Sequence, residues 1–140
     1  MSDISAKTKK SPWLPVVAGI IRKGDKVLLG RRPNDKNLPG LWEFAGGKIE
    51  LNEKPEAALK RELEEELGIV AEIGTLKIAT THTYEHVSVI ILFYEVLYWV
   101  GEPKTLYHTE LNWFHVSELS GLDFPQANRN VLDRIIAFLK

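Results

Sequence analysis

GKIELNEKPEAALKRELEEELGI, residues Gly47–Ile69, opens as a polar loop and continues as a run of strong helix formers. Pro55 suits a first helical turn, where its missing N–H removes no intrahelical bond, and Gly68 is placed to end the helix in a left-handed cap. Asn52 is the candidate N-cap. At about 100° per residue, Leu59, Leu63 and Leu67 form one stripe that can face a core. Glu62, Glu65 and Glu66 fall together within an arc of about 100° beside that stripe. Glu64 points elsewhere, no lysine lies inside the arc, and Arg61 only borders it.

Three carboxylates on one helical arc repel each other. Glu62 and Glu66 stand at i,i+4, a spacing that destabilises an isolated helix by about a few tenths of a kcal/mol for like charges. The residues alone allow two readings. One is a solvated helix face, which is often rich in glutamate. The other is a site for a hard divalent cation, because Mg²⁺ takes oxygen ligands and keeps waters for substrate phosphates. Gly46-Gly47, just upstream at the end of a short strand, lets backbone approach closely, and a freed carbonyl there would be a further hard ligand. Arg61 can pair with Glu53 and hold the loop onto the helix.

Working outward, the chain of 140 residues fits one domain with one core. Hydrophobic residues make up 44% and charged residues 26%, and the formal net charge is −1. That balance gives no electrostatic case for a stable nucleic-acid complex or for an anionic membrane surface. The absence of cysteine rules out disulfides and thiolate metal sites and is compatible with a reducing cytoplasm. Residues 1–12 read as a polar, disordered tail and 13–140 as the domain. Val87–Val100, the longest apolar stretch, is too short for a membrane span and is interrupted by Glu95, so it reads as a buried central strand. Pro15–Arg22 and Lys26–Leu29 around Gly24-Asp25 read as a hairpin. Leu41–Phe44, Ile69–Thr81 and Leu111–His115 are further strands. Val131, Leu132, Ile135, Ile136 and Leu139 recur at helical spacing and predict a closing amphipathic helix. Strands, helix, strands and helix in that order predict a mixed sheet with helices packed on it, an α/β or α+β fold.

The pattern Gly47-x5-Glu53-x7-Arg61-Glu62-Leu63-x-Glu65-Glu66-x-Gly68-Ile69 matches every fixed position of the Nudix box. By this resemblance the chain is identified as a member of the Nudix hydrolases. The resemblance implies an α/β/α sandwich and Mg²⁺-dependent hydrolysis of phosphoanhydrides in nucleotides, with Mn²⁺ as a substitute. It implies Glu62, Glu65 and Glu66 as metal ligands, the Gly46 carbonyl as a further one, and Arg61 and Glu53 as the supporting pair. Either Glu62 or Glu66 would take the proton of the attacking water.

Outside the box the chain resembles the MutT-type branch, which removes oxidised nucleoside triphosphates from the pool that feeds DNA replication and repair. Arg32, after the strand Leu28-Leu29-Gly30-Arg31, matches an arginine that touches the purine. Phe44 stands where the branch packs the base, and Asn128, in Asp123-Phe124-Pro125-Gln126-Ala127-Asn128, matches an asparagine that reads guanine. An amide offers a donor and an acceptor together, as that task requires. Read without the resemblance, Arg32 is loop charge, Trp42 and Phe44 are core, and Asn128 is a polar residue of a first helical turn. There are departures. Ala45 replaces a proline, and Glu85 lies near where the branch carries a basic contact. His82 and His86 are open between substrate contacts and polar loop residues. The late metal-binding glutamate has Glu110 as its candidate, with His108 as the rival.

The leading expectation is therefore an 8-oxo-dGTP diphosphatase releasing the monophosphate and pyrophosphate, acting in the cytoplasm on a small-molecule nucleotide, as a monomer or homodimer. The alternatives are a pyrophosphatase for CTP or a modified dCTP, and a nucleotide-binding module that does not cleave.

Overall fold

The computed structural model describes residues 12–140. The expected tail over residues 1–12 lies, apart from Pro12, outside the described residues. The elements in chain order are β1 (Trp13–Ile20), β2 (Arg22–Lys23), β3 (Lys26–Arg31), β4 (Trp42–Glu43), β5 (Gly46–Lys48), α1 (Pro55–Leu67), β6 (Val70–Thr83), β7 (Ser88–Val100), β8 (Glu110–His115), a 3₁₀ turn (Val116–Gly121), α2 (Gln126–Arg129) and α3 (Leu132–Leu139).

Two sheets result. The first runs β5-β1-β7-β6, with β1 and β7 parallel and the outer pairs antiparallel. In the second, β3 pairs with β2, β4 and β8. The period of two along a strand separates two cores in the first sheet. Val17 and Ile21, with Tyr94 and Val96 of β7, pack on Leu59, Leu63 and Leu67 of α1. Ala18 and Ile20, with Val89, Ile91 and Phe93, pack on Leu119, Leu132, Ile135 and Leu139. The molecule is thus an α/β/α sandwich with a mixed sheet. Every one of the three α1 leucines is fully buried, so truncating one to alanine costs about 2–5 kcal/mol.

The differences from the sequence reading have local causes. The first hairpin arm is not continuous. Ile20 enters one core and Ile21 the other, and the chain steps between sheets there, so the pairing with β3 across the Gly24-Asp25 turn is confined to Arg22–Lys23 and a bond from the Leu28 N–H to the Ile21 carbonyl. Asn52 is not the cap of α1. It takes a left-handed conformation at φ 65°, which asparagine tolerates, and Lys54 occupies the N-cap with no side-chain hydrogen bond. Pro55 does open the helix, and Gly68, at φ 71°, closes it with its N–H on the Glu64 carbonyl. The C-terminal helical segment comes in two pieces, α2 and α3, interrupted at Asn130–Val131. Among the described residues no helix is long and apolar enough to cross a membrane.

Candidate active site

The carboxylate face of α1 lies against Gly46-Gly47. β5 pairs with β1 in close register, Ala18 opposite Gly46 and Val17 opposite Gly47. A Cβ on Gly46 would stand 1.9 Å from the Val17 carbonyl oxygen, and one on Gly47 would stand 2.4 Å from the Glu62 carboxyl. Both glycines are therefore required by close approach, the first to backbone and the second to the end of a functional side chain.

Arg61 ties this region together. Its Nε and Nη2 grip Glu53 in a fork at 2.8 and 2.9 Å, Nη2 also donates to the Lys48 carbonyl at 3.0 Å, and Nη1 donates to Glu62 at 3.1 Å and Glu65 at 3.4 Å. The hydrogen bonds from Arg61 and the Glu50 N–H hold the Glu53 carboxyl down at about 2, and the same pair pushes the guanidinium up. Loop and helix are clasped by one planar group.

Glu66 has a different environment. It is buried, and among the described residues its Oε1 accepts only a 3.3 Å bond from the Gly46 N–H. Burial first, then the nearby Glu43 and Glu62 carboxylates, push it up to about 9. Burial also raises Glu62, against the pull of Arg61. Two desolvated carboxylates stand beside two glycines, Glu62 held by Arg61 and Glu66 with no cationic hydrogen-bond partner among the described residues. That donor set fits a hard divalent cation, which would supply the positive charge that Glu66 has no close partner for. Among the described residues no three acidic or histidine side chains form a ready-made ion-binding group. Glu62 and Glu65 are both turned onto Arg61, and Glu65 is largely exposed.

Glu62 and Glu66 stand on the wall of a cavity of about 830 Å³ that also receives Arg32, Phe44, Tyr84 and Asn128. The structure thus brings together most of the residues singled out from the sequence. Phe44 is buried, meets Phe93 edge-on and stacks on Phe124 at 6.1 Å, so it is both core and cavity wall. Trp42 is core, edge-on to Phe114. Asn128 is buried, and its amide takes no hydrogen bond from the described residues. Arg32 donates to Glu43 at 2.9 Å and to Asn37. His82 bonds Asn130, whereas Glu85 and His86 are exposed at the cavity rim.

Glu110 is not brought to this cluster. It opens β8 opposite Arg31, pairs with that residue at 3.2 Å and is half exposed. Arg31 and Arg32 point to opposite sides, as neighbours along an extended chain do, so Glu110 shares the face that Arg32 leaves. His108, the rival, lies inside. Its ring is fully buried, with Nε2 3.0 Å from Glu43 and 3.9 Å from Glu66. Glu43 was missed by the sequence reading because it sits between two aromatic residues in a short strand. Its alternation with Trp42 and Phe44, both buried, was the available signal.

Residues 16–134 match the NUDIX domain. The 8-oxo-dGTP diphosphatase of Haemophilus influenzae is 37% identical over 124 residues, which covers 88% of this chain and 91% of that protein. The CTP pyrophosphohydrolase of Escherichia coli is 54% identical over 61 residues, 44% of this chain and 45% of that protein. The crystal structure of the MutT protein from Methanosarcina mazei Go1 superposes with a TM-score of 0.82 at 26% identity, covering 91% of this chain and 95% of that one. The chain belongs to the NUDIX family and is a hydrolase that acts on phosphoanhydride bonds.

Proposed function

We propose that the protein hydrolyses 8-oxo-dGTP to the monophosphate and pyrophosphate with Mg²⁺, or Mn²⁺ in its place, and so clears an oxidised precursor from the nucleotide pool used in DNA replication and repair. The observation that carries this reading is a single cavity lined by the Glu62 and Glu66 carboxylates together with Phe44 and Asn128. Similarity over most of both chains to an 8-oxo-dGTP diphosphatase supports it.

In this reading Glu62, Glu65, Glu66 and the Gly46 carbonyl would hold the metal, which would neutralise phosphate charge and acidify the attacking water. The chain's own residues do the rest. Arg61 and Glu53 keep the loop on the helix so that Gly46-Gly47 stays against Glu62. Glu66, with its high proton affinity, or Glu62 accepts the water's proton. Phe44 offers a face for the base, and the Asn128 amide pairs with its edge. Arg32 reaches the substrate from the cavity wall beside Glu43. The protein works on free nucleotides in the cytoplasm and forms no stable complex with nucleic acid or membrane.

A panel of nucleoside triphosphates, each with Mg²⁺ and with products identified, tests this. Pyrophosphate release fastest from 8-oxo-dGTP is the expected result, and absence of pyrophosphate from every triphosphate overturns it. A second reading, preference for CTP or a modified dCTP, draws on the 54% identity over 61 residues to a CTP pyrophosphohydrolase. Higher kcat/KM for a cytosine nucleotide than for 8-oxo-dGTP selects it.

A further inference from the structure

Among the described residues, His108 Nδ1 is the buried side-chain polar atom without a hydrogen-bond partner. The other ring nitrogen, Nε2, meets Glu43 Oε2 at 3.0 Å. A carboxylate only accepts, so Nε2 carries the proton and Nδ1 is left a bare lone pair. Leaving a buried acceptor unpaired is unfavourable, so an apolar ring here would avoid a penalty that the histidine carries. The seat of the ring is equally specific. A Cβ on Gly30 would stand 2.4 Å from His108 Cγ, so β3 admits the ring because residue 30 has no side chain.

What the ring gains is one bond, and that bond leads to the cavity. The second oxygen of Glu43 accepts from Arg32 Nη1 at 2.9 Å. Arg32 lines the cavity, and the Asn37 backbone and side chain take two more of its five N–H donors, which leaves two for a ligand. Glu43 is thus pinned from beneath by His108 and from the cavity side by Arg32. The second approach of Nε2, to Glu66 at 3.9 Å, is beyond hydrogen-bond distance.

We propose that His108 is a positioning residue for nucleotide binding: by donating Nε2–H to Glu43 it fixes that carboxylate and, through it, the Arg32 guanidinium at the cavity wall. The proposal rests on reading Arg32 as a substrate contact. A pinned Glu43 leaves Arg32 one orientation before the nucleotide arrives, so less side-chain freedom is lost on binding. Without the donor, Glu43 and Arg32 turn as a pair and the ordering falls to the substrate. The effect belongs in KM rather than in kcat.

The test is steady-state hydrolysis of 8-oxo-dGTP by the full chain carrying H108F, H108Q, H108N, R32A or R32A with H108F. H108F is expected to raise KM about tenfold with kcat within about twofold. H108Q, whose amide nitrogen reaches the position of Nε2, restores KM to within about threefold, and H108N, one methylene shorter, does not. On the R32A background H108F adds less than about twofold, because the two residues act through one path. An unchanged KM in H108F, a loss confined to kcat, no advantage of H108Q over H108N, or effects of H108F and R32A that multiply each overturn the proposal. R32A alone separates the two readings. If R32A leaves KM unmoved, Arg32 is no substrate contact and both fall; if R32A raises KM and H108F does not, only the role of His108 falls. Should H108F not fold, the comparison of H108Q with H108N carries the same decision.

Discussion

The Glu62 carboxyl occupies the space that a side chain on Gly47 would fill: a Cβ there would lie 2.4 Å from it. What must yield in Gly47→Ala is the free end of a flexible side chain, whereas in Gly46→Ala it is the Val17 carbonyl of the paired strand, 1.9 Å away. The two neighbouring substitutions therefore separate activity from stability. Gly47→Ala is expected to melt within a few degrees of the parent while losing about 10- to 100-fold in kcat/KM, since Glu62 is turned out of the cavity. Gly46→Ala is expected to lower the melting temperature by about 5 °C or more. Thermal melts and kinetics on the same preparations check both.

Glu66 makes the metal-free fold sensitive to alkali. Its carboxyl titrates near 4.5 in the unfolded chain and near about 9 in the fold, chiefly because it is buried. A raised folded value means that the fold holds the proton more tightly, so the contribution to stability is full below about 4.5 and is lost as pH rises through about 9. Denaturant unfolding of metal-free protein should show stability falling across that window, by at most about 1.4 kcal/mol per pH unit from this group. Mg²⁺, by binding the ionised form, should offset the fall. Glu66→Gln should flatten the slope, remove the Mg²⁺ effect and lose most turnover. Glu110→Gln, altering a carboxyl paired with Arg31 at the surface, should leave the Mg²⁺ dependence within about twofold. An equal loss in both variants would put Glu110 back at the metal.

Arg61 works as a planar fork, so its charge alone is not enough. Two of its nitrogens hold Glu53 while a third reaches Glu62 and Glu65, a geometry that a lysine ammonium does not reproduce. Arg61→Lys is expected to fall about 10-fold or more in kcat/KM, close to Arg61→Ala. The Glu53 carboxyl reports the same clasp. Held at about 2 chiefly by Arg61, it should rise towards 4.5 by NMR in Arg61→Ala, with the Glu50 N–H bond still holding it below that value. The depressed value means that the clasp contributes above about 4.5 and is lost as pH falls through about 2.

The parts of this molecule legible in the sequence are those set by local periodicity. The leucine stripe of α1, its proline start and its glycine end depend on neighbours within a turn or two, and so does the placing of three carboxylates on one arc. The parts that escaped depend on which strands meet. Nothing local in Ile20-Ile21 tells that the chain changes sheets there, because both residues are apolar whichever core they enter. The left-handed turn at Asn52 displaced the cap by two residues, since the loop is shaped by Glu53 reaching back to the Glu50 N–H. His108 and Glu43, 65 residues apart, meet because β3 pairs with β4 on one side and β8 on the other. Glu110 and His108 differ by two positions, and their separation into surface and interior follows from a strand that begins only at Glu110.

Base choice rests on Asn128. Its segment is held from outside, the Ala127 N–H donating to the Tyr84 hydroxyl at 3.0 Å and Asn130 bonding His82, while the Asn128 side chain faces the cavity without a partner among the described residues. A cavity-facing amide with unmade bonds discriminates strongly, because a base that fails to match it leaves both partners unpaired. Asn128→Ala should therefore lower kcat/KM for 8-oxo-dGTP by about 1–3 kcal/mol in transition-state terms, roughly 5- to 160-fold, and should lower it much less for a triphosphate that is already poor. Phe44→Ala should weaken all purine substrates together, since a stacking face does not read the base edge. Measuring both variants on 8-oxo-dGTP, dGTP and CTP distinguishes loss of selectivity from loss of affinity. If Asn128→Ala reduces all three equally, Asn128 supports the wall of the cavity and the base is read elsewhere.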